Sequence, residues 1–129
     1  MSKKVLVVDD DPVGITLLGA RLEKEGYKVL AAVNGQKGLE RMRQFMPDCI
    51  VLDVSMPEMS GYDFIVGMKK EDAFKAIPVI ILTSHNEHQK IFASRGITHY
   101  LVKPVNFDEL LRKVKGLTEG ENLKDASCG

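Results

Sequence analysis

Charge of one sign is missing from this sequence. Its 18 basic and 18 acidic residues cancel over 129 positions, so no net field draws the chain toward nucleic acid or an anionic membrane. Long hydrophobic runs are missing as well: the apolar stretches fall far short of the about 20 residues that cross a bilayer. Met1-Ser2-Lys3-Lys4 passes straight into strand-like residues, without a signal-peptide core or a small-residue cleavage site. The cytoplasm is therefore the expected compartment, and neither a membrane nor direct nucleic-acid contact is expected. Cysteine is scarce. Cys49 lies in an expected buried strand and Cys128 is the penultimate residue, so neither a disulfide between them nor a thiolate metal site is expected. Repeats and low-complexity segments are absent too. The composition turns polar and glycine-rich near the end, which divides the chain into one domain over residues 1–120 and a flexible tail or start of a linker over 121–129.

What is present is an apolar content of 44%, enough for one ordinary core, arranged in alternating short and long periods. Lys4-Val5-Leu6-Val7-Val8-Asp9 reads as a strand buried on both faces, and Pro12 opens a helix with Ile15, Leu18 and Leu22 inward, closed by Gly26. A strand over Tyr27–Val33 and an Asn34-capped helix with Leu39, Met42 and Met46 inward follow, and Pro47 ends that helix. Cys49-Ile50-Val51-Leu52-Asp53 is the third strand, and the chain turns through Met56-Pro57 to a helix marked by Phe64, Ile65 and Met68. Pro78–Leu82 forms the fourth strand, ending at Thr83, and Ser84-His85-Asn86-Glu87 caps a fourth helix with a thin apolar face, Ile91 and Phe92. Thr98–Val102 is the fifth strand. Lys103-Pro104 follows it, and Asn106 with Glu109 caps a last helix with Leu110, Leu111, Val114 and Leu117 inward. Five strands alternating with five helices predict a single (βα)5 domain, doubly wound on a parallel sheet.

In such a sheet every carboxyl end lies on one edge, where open α/β folds bind their ligands. The strands here end in Asp9-Asp10, Asp53, Thr83 and Lys103. Gathering carboxylates is costly, since two unit charges ~4 Å apart repel by about 4 kcal/mol at an effective dielectric near 20. Protonation, a lysine or a hard divalent cation would offset the repulsion. Paired carboxylates with an open face suit Mg²⁺ completed by water and phosphate oxygens, and a cation, a lysine and a hydroxyl around a carboxylate suit a phosphoryl group in transit.

Val7-Val8-Asp9-Asp10, Leu52-Asp53 with Met56-Pro57 and Gly61, Leu82-Thr83-Ser84, and Tyr100-Leu101-Val102-Lys103-Pro104 occur in that order. Together, over residues 3 to about 117, they resemble the receiver domain of bacterial two-component response regulators. The resemblance implies a flavodoxin-like sheet in strand order 2-1-3-4-5. It makes Asp53 the phosphoacceptor that attacks the phosphorus of a phosphohistidine on a sensor histidine kinase or a histidine phosphotransfer protein. It makes Asp10 a direct ligand of Mg²⁺ (with Mn²⁺ as a substitute), alongside Asp53, the backbone carbonyl of Ser55, and Asp9 through water. Thr83 becomes the hydroxyl that moves to the phosphoryl group, Lys103 the amine that neutralises it, and Tyr100 the aromatic switch. Lys103-Pro104 becomes a cis peptide. Phosphorylation then changes the face built by the fourth helix, fifth strand and fifth helix, in a monomer or a phosphorylation-dependent dimer, for a downstream partner that the resemblance leaves unnamed.

Other residues have plainer readings. Asp11 fits a helix's first turn, His85 and His88 are expected at the surface, with His85 bordering the phosphorylation pocket, and the methionines are core filler. Ser55 is small where many receivers carry a larger side chain, which predicts a pocket open to water or to a phosphatase, and Arg95-Gly96-Ile97-Thr98-His99 departs from the small-residue pattern common before the fifth strand. The resemblance implies no conventional turnover enzyme, but a protein that catalyses its own Asp53 phosphorylation and dephosphorylation. The competing readings are a phosphorylation-independent binding module, a Mg-dependent phosphatase, and a flavodoxin-like cofactor binder. The last would want a Ser/Thr/Gly-rich phosphate loop where this chain has Asp9-Asp10-Asp11-Pro12.

Overall fold

The computed structural model describes residues 3–53, 60–84 and 99–119. Runs of aliphatic and β-branched residues form β1 (Lys4–Val8), β2 (Lys28–Ala32), β3 (Cys49–Asp53), β4 (Val79–Thr83) and β5 (His99–Val102). They make one five-stranded sheet in the order β2-β1-β3-β4-β5, with every neighbouring pair parallel. The helices are α1 (Pro12–Lys24), α2 (Gly35–Phe45), α3 (Ser60–Lys69) and α4 (Phe107–Thr118). α4 is the fifth helical unit of the sequence pattern. The expected fourth, with its Ser84–Glu87 cap and Ile91 and Phe92, falls largely on residues outside those described. The Met56-Pro57 turn, His88, Arg95–Thr98 and the tail with Cys128 lie outside them too. Among the described residues no helix is long and apolar enough to cross a membrane.

Alternation along the buried strands divides the core into two layers. Leu6, Val8, Ile50, Leu52, Val79 and Ile81 point to one side, where Met42 of α2 and Phe64, Ile65 and Met68 of α3 cover them. Val5, Val7, Cys49, Val51, Ile80, Leu82 and Leu101 point to the other side, against Leu18 and Leu22 of α1 and Leu110 and Val114 of α4. Period-2 strands and period-3.6 helices thus bury their apolar stripes against each other, which is the doubly wound solution.

Helix ends follow local chemistry. The Asn34 and Asn106 side chains accept hydrogen bonds from the backbone N–H of Lys37 and Glu109, each such cap contributing about 1 kcal/mol. Asp11 is the N-cap of α1 and accepts from the Val13 N–H, one position before the first-turn role expected of it. Met46 departs from its expected inward place. It is the C-cap of α2 in a left-handed conformation (φ 49°) and is 44% exposed, because Pro47 cannot continue the helix and the chain must turn there. Phe74, which lies beyond the last periodic residue of α3, is buried in the first layer.

Candidate functional site

Strand register assembles the site. Val8 of β1 pairs with Leu52 of β3, so the next residues, Asp9 and Asp53, emerge side by side at the carboxyl edge. Asp53 pairs with Leu82 of β4, which puts Thr83 one step further along the neighbouring strand. Thr83 in turn pairs with Val102 of β5, and its carbonyl accepts a hydrogen bond from the Lys103 N–H at 2.8 Å. Residues from four strands therefore meet because their strands end at one level.

The electrostatic centre is the contact of Lys103 Nζ with Asp53 Oδ2, at 2.6 Å. The Asp53 side chain is 5% exposed and that of Lys103 34%. The lysine thus crosses β4 to bring its ammonium to a nearly buried carboxylate. Asp9 is equally secluded, at 6% exposure. One oxygen, Oδ1, accepts the Asp11 N–H at 2.9 Å, while its own N–H donates to Ala32 O at 3.0 Å. Burial pushes the Asp9 carboxyl up from 3.8 to about 6. The charge of Asp53 and a side-chain hydrogen bond to it push the same way, against the opposing pull of the Asp11 N–H and of Lys103. A carboxyl–carboxylate hydrogen bond needs a shared proton, so proximity favours the protonated form.

Thr83 is fully buried at the end of β4. Tyr100 pairs with Ile81, packs on the first core layer and is half-buried, and desolvation raises its phenol above the ordinary value. The Lys103-Pro104 peptide is cis, as expected. Asp10 is exposed. Ser55 lies outside the described residues, as does His85.

The donor set fits a hard cation. Asp9 and Asp53 offer carboxylate oxygens at one point, and Mg²⁺ is commonly held by one or two carboxylates, with water or phosphate completing its shell. After burial, the charge of Asp53 also raises the Asp9 carboxyl, and a divalent ion would offset that repulsion. Among the described residues, no three acidic, histidine or cysteine side chains stand close enough to hold an ion on their own.

Two participants were invisible in the sequence pattern. Asp11 matters through its N–H, which fixes Asp9 Oδ1. Gly14 adjoins the site without a side chain, and a Cβ there would lie 2.8 Å from Asp9 Oδ2. Neither leaves a mark in composition or periodicity; an Asx turn before a proline-led helix was the available hint for the first.

Residues 5–115 match the family model described as the response regulator receiver domain. The chain is 38% identical over 119 residues to protein PilH of Pseudomonas aeruginosa, covering 91% of this chain and 98% of that protein. It spans only 48% of a longer relative, the DNA-binding regulator RpaA of Synechocystis, at 34% identity over 88% of this chain. Among solved structures it superposes on the chemotaxis response regulator CheY4 of Vibrio cholerae with a TM-score of 0.83 at 30% identity, covering 91% of this chain and 99% of that one. It also superposes on response regulator TrrA of Thermotoga maritima, solved in complex with Mg²⁺ and BeF, with a TM-score of 0.78 at 36% identity, covering 89% of this chain and 98% of that one.

Proposed function

The chain belongs to the response regulator receiver domain family, and from that membership we propose that it takes a phosphoryl group onto Asp53 from a histidine kinase or a histidine phosphotransfer protein. Receiver domains as a class are signalling modules that accept a phosphoryl group and bind Mg²⁺. The observation that carries the proposal here is the meeting of Asp53 with Lys103 and Asp9 at the sheet edge.

In the proposed reaction an Asp53 carboxylate oxygen forms the new O–P bond as the P–N bond of the phosphohistidine breaks, its electron pair leaving on the imidazole nitrogen. Lys103, already on Asp53 Oδ2, holds the carboxylate in one orientation and then neutralises a phosphoryl oxygen. Held by Asp10, Asp53 and the Ser55 carbonyl, with Asp9 acting through water, Mg²⁺ would supply the charge that lets the phosphoryl oxygens enter an acidic crevice. Two helix residues support a partner at this edge. Val13 and Leu17, one turn apart on α1, are 64% and 55% exposed, an apolar pair that another protein's helix would cover.

The new charge of about −1.5 to −2 would draw the Thr83 hydroxyl toward the phosphoryl group and let Tyr100, one strand away, settle deeper against the core. A swing from 1:99 to 99:1 needs a bias of ~5.5 kcal/mol between the two states. The surface of β5 and α4 would then present itself differently to a downstream protein. This reading places the protein in the cytoplasm.

Intact mass after incubation with acetyl phosphate tests it, with and without Mg²⁺, on the wild type and on Asp53→Asn. One phosphoryl adduct that needs both the ion and Asp53 is the expected result. An adduct that survives in Asp53→Asn, or none in the wild type with Mg²⁺ present, would refute it.

A further inference from the structure

Gly14 stands at the third position of α1, after Pro12 and Val13. Glycine inside a helix costs up to about 1 kcal/mol relative to alanine, and nothing in the backbone here asks for it. Among the described residues the glycine with positive φ is Gly26, not Gly14. What Gly14 provides is space. A Cβ on it would lie 2.8 Å from Asp9 Oδ2, and 3.7 Å from both Asp9 Cγ and Asp11 Oδ2. A carboxylate at the end of a loose side chain would swing away, but Asp9 is not loose. Its Oδ1 is tied to the Asp11 N–H, the register of β1 and β3 sets it beside Asp53, and it is 6% exposed. A side chain at position 14 must therefore displace the Asp9 carboxyl or the first turn of α1.

We propose that Gly14 is a positioning residue for the acidic pair. Its bare α-carbon seats the Asp9 carboxyl between α1 and Asp53, and so sets how tightly the crevice holds a divalent cation. This rests on the reading of the crevice as a Mg²⁺ site. The same helix contains its own control. A Cβ on Gly19 would meet Val29 Cγ1 at 3.7 Å, an ordinary contact remote from the carboxylates.

The test compares Gly14→Ala and Gly19→Ala in the full chain by calorimetric titration with MgCl₂, beside thermal melts of the metal-free proteins. Gly19→Ala should bind Mg²⁺ like the wild type. Gly14→Ala should bind at least about tenfold more weakly, as for other losses of support around a metal ligand. The melts read the geometry without any metal. Gly14→Ala should lower or leave Tm in the wild-type background, yet raise it in an Asp9→Ala background, where the clash is gone and only the helix propensity remains. Equal Mg²⁺ affinity in Gly14→Ala and wild type, or the same change in Tm in both backgrounds, would overturn the inference. If Gly14→Ala fails to fold, the Asp9→Ala/Gly14→Ala protein must fold, and its failure would overturn the inference as well. A wild type that takes up no Mg²⁺ would overturn the metal-site reading itself, and this inference with it.

Discussion

Lys103 Nζ sits 2.6 Å from Asp53 Oδ2 across 50 residues of sequence, and this contact pairs an ammonium with a nearly buried carboxyl group at the sheet edge. Removing one partner of a buried pair strands the other charge and costs several kcal/mol, whereas an exposed pair is worth at most about 1. With Asp53 buried and Lys103 one-third exposed, Lys103→Met should cost about 1–3 kcal/mol in urea unfolding. The same change in an Asp53→Asn background should cost much less, since no charge is then stranded. An equal loss in both backgrounds would mean that the lysine acts through its stem and not its charge.

Asp9→Asn should stabilise the metal-free protein at neutral pH. The Asp9 carboxyl is held at about 6 in the fold against an ordinary 3.8, so between those values the folded state keeps a proton that the unfolded chain has lost. Stability therefore falls as pH rises through that window and stays low above it. The advantage of Asn over Asp should grow from pH 4 to 6 and level off beyond, at about 1–2 kcal/mol once solvent screening at the crevice mouth is allowed for. Adding Mg²⁺ should narrow it, because the ion stabilises only the carboxylate. A gain that does not vary with pH would exclude titration of Asp9 as its cause.

His99 should make the fold acid-sensitive from β5. Burial, and then the charge of Lys113 on α4, lower its imidazole below the ordinary 6.5, so on acidification the unfolded chain takes up a proton before the folded one. Stability is lost as pH drops through 6.5 toward the folded value. His99→Gln removes that loss, and the variant should gain on the wild type between pH 7 and pH 5 in matched chemical denaturation. Parallel curves would leave His99 without a role.

Most of the frame was legible in the residues. Strand ends, caps at Asn34 and Asn106, and the edge cluster of Asp9, Asp53, Thr83 and Lys103 each follow from a local rule about turns, period or register. What escaped has a common physical cause: contacts that depend on distance in space leave no period. Met46 matches the helical repeat of α2, yet the turn before Pro47 expels it. Gly14 resembles any helix glycine until the position of Asp9 Oδ2 is known. Phe74 follows the charged stretch Lys69-Lys70-Glu71-Asp72 and stands outside the period of α3, so no repeat marks it as buried.

Phe74 also decides what holds that stretch to the domain. Two interactions compete for the role: the Arg43–Glu71 ion pair at 2.6 Å, with side chains 55% and 37% exposed, and the Phe74 ring, buried in the first core layer. The turn links them, since the Phe74 N–H donates to the Glu71 carbonyl at 3.0 Å. Exposed pairs give back most of their Coulomb energy as side-chain entropy and screening, leaving about 0–1 kcal/mol. Truncating a buried phenylalanine costs about 3–5 kcal/mol through lost transfer energy and the cavity left behind. Phe74→Ala should therefore destabilise the protein several times more than Arg43→Ala, and Phe74→Leu, which refills most of the space, should recover most of the difference. Raising the salt to 1 M should erase the Arg43→Ala effect and leave that of Phe74→Ala intact. If Arg43→Ala were the costlier change at low salt, the ion pair and not the ring would be the anchor.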